Sequence, residues 1–334
     1  MLEVKVKQDN IDFGDGLALN FQRTLRIPDD GKTYPLPPGL GAFPICQVKD
    51  YPKRVPEDWL EHGGVFISMY QREALWISFQ DRYWKPNAVK VAVGKVNAVS
   101  TKPWEQKLLP GENDYLVCPP QPWLDGINAG EGYIRQFMAM PLGMGYTVEA
   151  QVTGEEKFGG IQVIVYESKP GKFPDQPPPR EVLYATLGSK VMEMAPLILS
   201  QAAEMGLAAG GKMKQKIYPD PHGIDTWDQE NYGRVFVHIV NSLMYREITG
   251  MEPPLTPVTA KTYAQYSLPW FDLYDEKMGD IAASEAFEKI KTVKVIDKVK
   301  GFTPQQDDGS IEIPEENIIK YKTDADEPLD NGKW

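Results

Sequence analysis

Tyr133–Ser168, YIRQFMAMPLGMGYTVEAQVTGEEKFGGIQVIVYES, is the stretch on which the reading of the fold turns. Its three apolar-rich segments are separated by two turn signals, PLGMG (Pro141 to Gly145) and TGEEKFGG (Thr153 to Gly160). In the last segment Ile161, Val163 and Val165 share one side, and Gln162, Ile164 and Tyr166 the other, so the second side is partly covered as well. Period-two patterning between glycine-rich turns predicts a β-meander, the core of a sheet against which the flanking segments are built.

Upstream, Leu2, Val4 and Val6 alternate with Glu3, Lys5 and Lys7, as in a half-exposed strand near a sheet edge. FQRTLRI (Phe21 to Ile27) is a second strand, halted by PDDG. In YPLPPGLGAFP (Tyr34 to Pro44) the prolines favour an extended surface loop over helix. Pro56 to His62 carries helix signals: proline in the first turn, Glu57 and Asp58 at the positive end, His62 at the negative end and Gly63 to close. With VFISMYQREALWISF (Val65 to Phe79), AVKVAVGKVNAV (Ala88 to Val99) and LVC (Leu116 to Cys118), about seven strands precede Ser168, the number a β-sandwich requires.

Ser168 to Arg180, SKPGKFPDQPPPR, has five prolines in thirteen residues and reads as a linker or a packed strap. The second half differs in texture. KVMEMAPLILSQAAEM is a helical candidate interrupted by Pro196, and Gly206 to Gly211 is small and flexible. RVFVHIV (Arg234 to Val240) is a strand covered on both faces, followed by a helix capped at Asn241 or Ser242 and closed by Gly250. Thr259 to Tyr266 and Ala282 to Ile290 are further short helices. The expected fold is mainly β with an α+β second half. An antiparallel β-sandwich-like domain spans 1–168, a Pro-rich linker or strap 169–180, a smaller α+β domain 181–300 and an acidic tail 301–334.

Composition agrees with this class. In 334 residues, 42% are hydrophobic and 25% charged, which is globular usage. Glycine and proline, at 29 each, favour short elements joined by turns. The net charge of −11 argues against a nucleic-acid surface. Nine acidic residues and three lysines in Gly301–Trp334 concentrate that charge in the tail, leaving a mildly acidic body. MLEVKVKQDN lacks the apolar stretch of a signal peptide, and no run is long enough to span a membrane. Cys46 and Cys118 are read as reduced, partly buried thiols, and the expected location is cytoplasmic.

Candidate sites rest on residue chemistry. DPHGIDTWDQE groups Asp220, His222, Asp225, Asp228 and Glu230, which could ligate a divalent cation or supply a base with its orienting carboxylate. The spacing matches neither an EF-hand nor HExxH, and a polar loop with Asx turns is the preferred reading. His238, inside an apolar strand, is read as a buried, hydrogen-bonded histidine, with catalysis as its alternative. GMGYTVEAQVTG and AAGGKMK lack the context of dinucleotide and P-loop glycines. Trp76, Tyr83 and Trp84 could stack on sugar rings, against core or loop anchoring. SLPWFDLYDE presents Trp270, Phe271, Leu273 and Tyr274 as an aromatic docking arm.

With three histidines, no paired nucleophile and base and no cofactor fingerprint, the leading expectation is a non-catalytic structural or interaction protein acting through protein–protein contact, its partner being itself in a homo-oligomer. The alternatives are a metal-dependent hydrolase centred on His222, Asp225 and Asp228, and a carbohydrate-binding module using surface tryptophans. No cofactor is expected on the leading reading.

Overall fold

Antiparallel pairing runs as one ribbon through this computed structural model, which describes residues 1–82, 84–176, 203–273, 277–303 and 309–320. Strand Leu17–Thr24 pairs with Ala74–Asp81, and that strand with Tyr133–Pro141. Glu204–Lys214, Trp227–Val240, Ile161–Ser168, Asn87–Val93 and Leu116–Cys118 follow in turn. The hairpin Val4–Lys7/Asn10–Phe13 extends the first end, and the chain just before it closes onto Trp227–Val240, where Leu2 N donates to Tyr232 O at 3.0 Å. The ribbon thus folds back on itself, sandwich-like, around one continuous core that reaches from Ile11 to Ile311. With 38% strand against 17% helix, the protein is mainly β.

The described α-helices are short: α1 (Glu57–His62), α2 (Val148–Thr153), α3 (Ser242–Thr249), α4 (Ala260–Gln265) and α5 (Val293–Lys300). Their ends carry the expected chemistry. Asn241 accepts from Met244 N at 2.8 Å to start α3, and Gly250 ends it at φ +75°, a conformation open to glycine. Thr292 caps α5 in the same way. That helix escapes the sequence reading because VKVIDKVK alternates like a strand. The expected helix at Ala282 to Ile290 is a single 3-10 turn, Glu285–Lys289. No helix among the described residues is long and apolar enough to cross a membrane.

The predicted meander is corrected in two respects. Its middle segment is α2, not a strand: Thr147 Oγ1 accepts from Ala150 N at 3.1 Å, and Gly154 terminates the helix at φ +80°. Local capping outweighed the apolar pattern. The buried Glu149 of α2 then accepts from the backbone N–H groups of Lys157, Phe158 and Gly159 at 2.8–2.9 Å, so the TGEEKFGG turn is tied to a helix. Its two outer segments are strands but not neighbours, because Glu204–Lys214 and Trp227–Val240 lie between them.

Strands from both sides of the 169–180 stretch are therefore hydrogen-bonded in one sheet. Gly206 to Gly211, read as flexible, is the interior of the Glu204–Lys214 strand. Its residues are small because neighbours crowd it: a Cβ on Gly210 would stand 3.0 Å from Gln136 O, and one on Gly211 2.4 Å from Pro28 O. Of the helical candidate before it, Glu204 and Met205 belong to this strand, and residues 190–202 lie outside the described residues. The acidic tail beyond 320 also lies outside them. Cys46 and Cys118 are buried free thiols.

Candidate functional site

The apolar run 65–79 is broken at its centre by a tight turn, Tyr70–Glu73, between strands Val65–Ser68 and Ala74–Asp81. Glu73 N closes the turn on Tyr70 O at 3.0 Å, and Arg72 occupies φ +69°. A left-handed backbone costs a non-glycine residue roughly 1–2 kcal/mol, so the surroundings must hold it there. Arg72 N donates to Ala139 O at 2.7 Å, and Ala139 N to Glu73 O at 2.9 Å, clamping the turn to the Tyr133–Pro141 strand.

The turn places its two charged side chains in separate networks. Glu73, fully inside the protein, accepts from Arg23 Nε and Nη2 at 3.0 and 2.9 Å through one oxygen, and from Tyr70 N at 2.9 Å through the other. Burial pushes its carboxyl up, and the Arg23 charge opposes that. Arg72 Nη2 donates to Asp297 Oδ1 at 2.9 Å, and Tyr146 OH donates to the same oxygen at 2.7 Å. Asp297 comes from α5 and Tyr146 from the loop before α2, so the site joins the sheet to two helices. Arg72 Nη1 and Asp297 Oδ2 are buried without a hydrogen-bond partner among the described residues.

Between these networks lies a cavity of about 450 Å³, within the usual range for small-molecule sites. Arg26, Tyr70, Arg72, Glu73 and Tyr146 supply its polar wall, and Thr256–Thr259 and Phe302 its other side. Lys300 stands at the Tyr146 edge, its Nζ 4.7 Å from the ring centroid. Burial raises Tyr70, and burial followed by the Asp297 hydrogen bond pushes Tyr146 up to about 12, so both phenols remain protonated donors at neutral pH. Among the described residues no His, Cys, Ser or Lys lines the cavity, and both Glu73 oxygens are already engaged. The arrangement offers guanidinium and hydroxyl donors.

No family model, curated protein or solved structure matches this chain. The cavity is therefore read from its own chemistry.

The residues singled out in the sequence lie elsewhere. Asp220 accepts from Tyr115 OH at 2.6 Å and Trp227 Nε1 at 2.9 Å through one oxygen, and from His222 N at 2.7 Å through the other. The His222 ring packs edge-on against Phe173 and Trp227. Asp228 accepts from Glu230 N and Asn231 N, an Asx-type turn, while Asp225 and Glu230 are exposed. Among the described residues no three His, Cys, Asp or Glu side chains are grouped to hold a metal ion.

His238 is 3% exposed and sandwiched between Trp59 and Phe236, with centroids 4.1 and 4.4 Å away. One ring nitrogen meets Gly63 O at 3.2 Å, and burial drives the imidazole down to about 3, so it stays neutral. Trp76 packs edge-to-face with Trp123, Trp84 lies under Arg82, and Tyr83 is outside the described residues. In the aromatic arm Trp270 is fully buried in the chain's own core, and Phe271 exchanges two backbone hydrogen bonds with Leu36. Leu273 is half-buried, and Tyr274 is outside the described residues.

The arginine cleft was missed because QRE sits inside an otherwise apolar run and reads as an interruption of a strand. The signal lay in that interruption: three consecutive polar residues cannot all face a core.

Proposed function

We propose that this protein is a non-catalytic binding protein for a small carboxylate- or phosphate-bearing molecule, held in the cleft beside Arg72. The supporting observation is Arg72 itself. It is kept in an unfavourable backbone conformation at the cavity wall, with Nη2 committed to Asp297 and Nη1 without a partner among the described residues. Arg72 lines the cavity, and a guanidinium there forms charge-assisted hydrogen bonds with carboxylate and phosphate oxygens. Tyr70 brings a hydroxyl donor to the same wall, and Arg26 adds positive charge.

Calorimetric titration with inorganic phosphate and with citrate tests the reading. Arg72→Gln should weaken whichever anion binds by at least tenfold, as expected for one charge-assisted contact, and Tyr70→Phe should weaken it by a smaller factor with circular dichroism unchanged. Equal binding by wild type and Arg72→Gln, or no binding of either anion, would remove the cleft from consideration.

A further inference from the structure

Helix α5 turns one face to the core and leaves the other bare. Val293 and Ile296 pack with Met138, Met140, Tyr146 and Ala208, and Asp297 is held by Arg72 and Tyr146. The Thr292 cap fixes the start of the helix. Its end is closed by Gly301 at φ +76°, across which Phe302 N donates to Asp297 O at 3.0 Å. The helix and the backbone of Phe302 are therefore set in place before any partner arrives.

The outer face carries three large apolar side chains: Val295 is 45%, Val299 75% and Phe302 53% exposed. Val295 and Val299 stand one turn apart, Lys294 and Lys298 form the adjoining row, and Lys291 lies just before the cap. From Lys289 to Thr303 the chain has five lysines and one acid, Asp297, which is buried. The whole protein has 36 basic against 47 acidic residues, so this strip runs against its net charge of −11. Among the described residues the side chains of Lys291, Lys294 and Lys298 enter no ion pair.

We propose that this face of α5, with Phe302, docks on an anionic lipid surface. A row of unpaired ammonium groups calls for an anionic partner, and the exposed apolar side chains beside it call for one that also removes them from water. A bilayer interface supplies both, with charged headgroups at the level of the lysines and the acyl boundary just beneath for Val295, Val299 and Phe302. Lysine stems lie along such a boundary while their charges stay among the headgroups. A nucleic-acid backbone would meet the lysines and leave the valines in water. Phe302 also lines the arginine cleft, so docking turns the mouth of that cleft towards the membrane. The proposal does not rest on what the cleft binds.

Co-sedimentation tests it, with vesicles of phosphatidylcholine alone and of equal parts phosphatidylcholine and phosphatidylserine. The protein should pellet with the mixed vesicles and not with the neutral ones, and rising salt should release it. Each lysine near an anionic surface is worth roughly fivefold in affinity, so Lys291→Gln, Lys294→Gln and Lys298→Gln together should weaken attachment about a hundredfold. Val295→Ser with Val299→Ser, at exposed positions, should weaken it about fivefold or more with circular dichroism unchanged. Inorganic phosphate, added at constant ionic strength to compete for the arginine cleft, should leave attachment unaltered. Displacement by phosphate would instead place the lipid contact in that cleft and overturn the proposal. Equal pelleting with neutral vesicles, no pelleting with mixed ones, or attachment indifferent to either set of substitutions would do the same. Attachment to polyglutamate as tight as to vesicles, and indifferent to the valines, would assign the face to an acidic polypeptide and refute the lipid reading.

Discussion

Asp125→Asn removes a carboxyl that the fold keeps protonated, and its effect on stability can be worked out in advance. In the unfolded chain an aspartate titrates near 3.8, and in the folded protein burial pushes Asp125 up to about 8. The folded state therefore holds a proton that the unfolded state has lost at neutral pH. For an acid raised in this way, the stability contribution is fully present below about 3.8 and is lost as pH rises to about 8. Each pH unit between these limits is worth about 1.4 kcal/mol, so wild type at pH 7 has given up on the order of 4 kcal/mol. Asparagine takes up no proton on folding. Urea unfolding of both proteins from pH 4 to pH 9 should show the variant gaining on wild type by about 4 kcal/mol between pH 4 and 7, then levelling above pH 8. A difference that stays constant from pH 4 to 8 would show that Asp125 is not protonated in the folded protein.

Three further outcomes are expected. Buried His238, held down to about 3 by desolvation, contributes stability that is present above about 6.5 and lost as pH falls. His238→Gln should therefore spare the protein about 3 kcal/mol of the loss between pH 6.5 and 4, measured by urea midpoints, and identical pH profiles would refute this. Trp270→Ala should cost about 3–5 kcal/mol in thermal or chemical unfolding without changing particle size in light scattering, because the indole lies inside its own chain's core. A shift to smaller species would instead mark the arm as a subunit anchor. Gly64 sits at φ +84°, and a Cβ there would stand 2.1 Å from Phe236 O, so Gly64→Ala should destabilise by about 2 kcal/mol or more, whereas a neutral effect would show that the two strands can separate locally.

Local signals were readable where chemistry acts at short range. Asn241 and Gly250 announced both ends of α3, and Thr259 announced α4, because capping depends on a few neighbouring residues. Alternation in Ile161–Ser168 gave a true strand. Pairing order could not be read in the same way. The sequence pattern specifies faces, not neighbours, so nothing in Tyr133–Ser168 reveals that Glu204–Lys214 and Trp227–Val240 insert between its two strands. The Gly206 to Gly211 run misled for a related reason: small residues signal flexibility only where nothing packs against them. The arginine cleft assembles from residues 23 to 303, and its key ion pair, Arg72 with Asp297, spans most of the described chain. The acidic 220–230 loop, by contrast, looked dense in sequence yet spends its carboxylates on Tyr115, Trp227 and its own backbone. Proximity along the chain was a poor guide to convergence in space.

The binding reading is tested most directly by placing an electron-dense oxyanion in the cleft. Crystals soaked in tungstate should show an anomalous peak in the cavity beside the Arg72 guanidinium and Tyr70. That peak should vanish in Arg72→Gln crystals of the same form. Tungstate bound only at other surfaces, or a peak in the cleft that persists without the guanidinium, would contradict it.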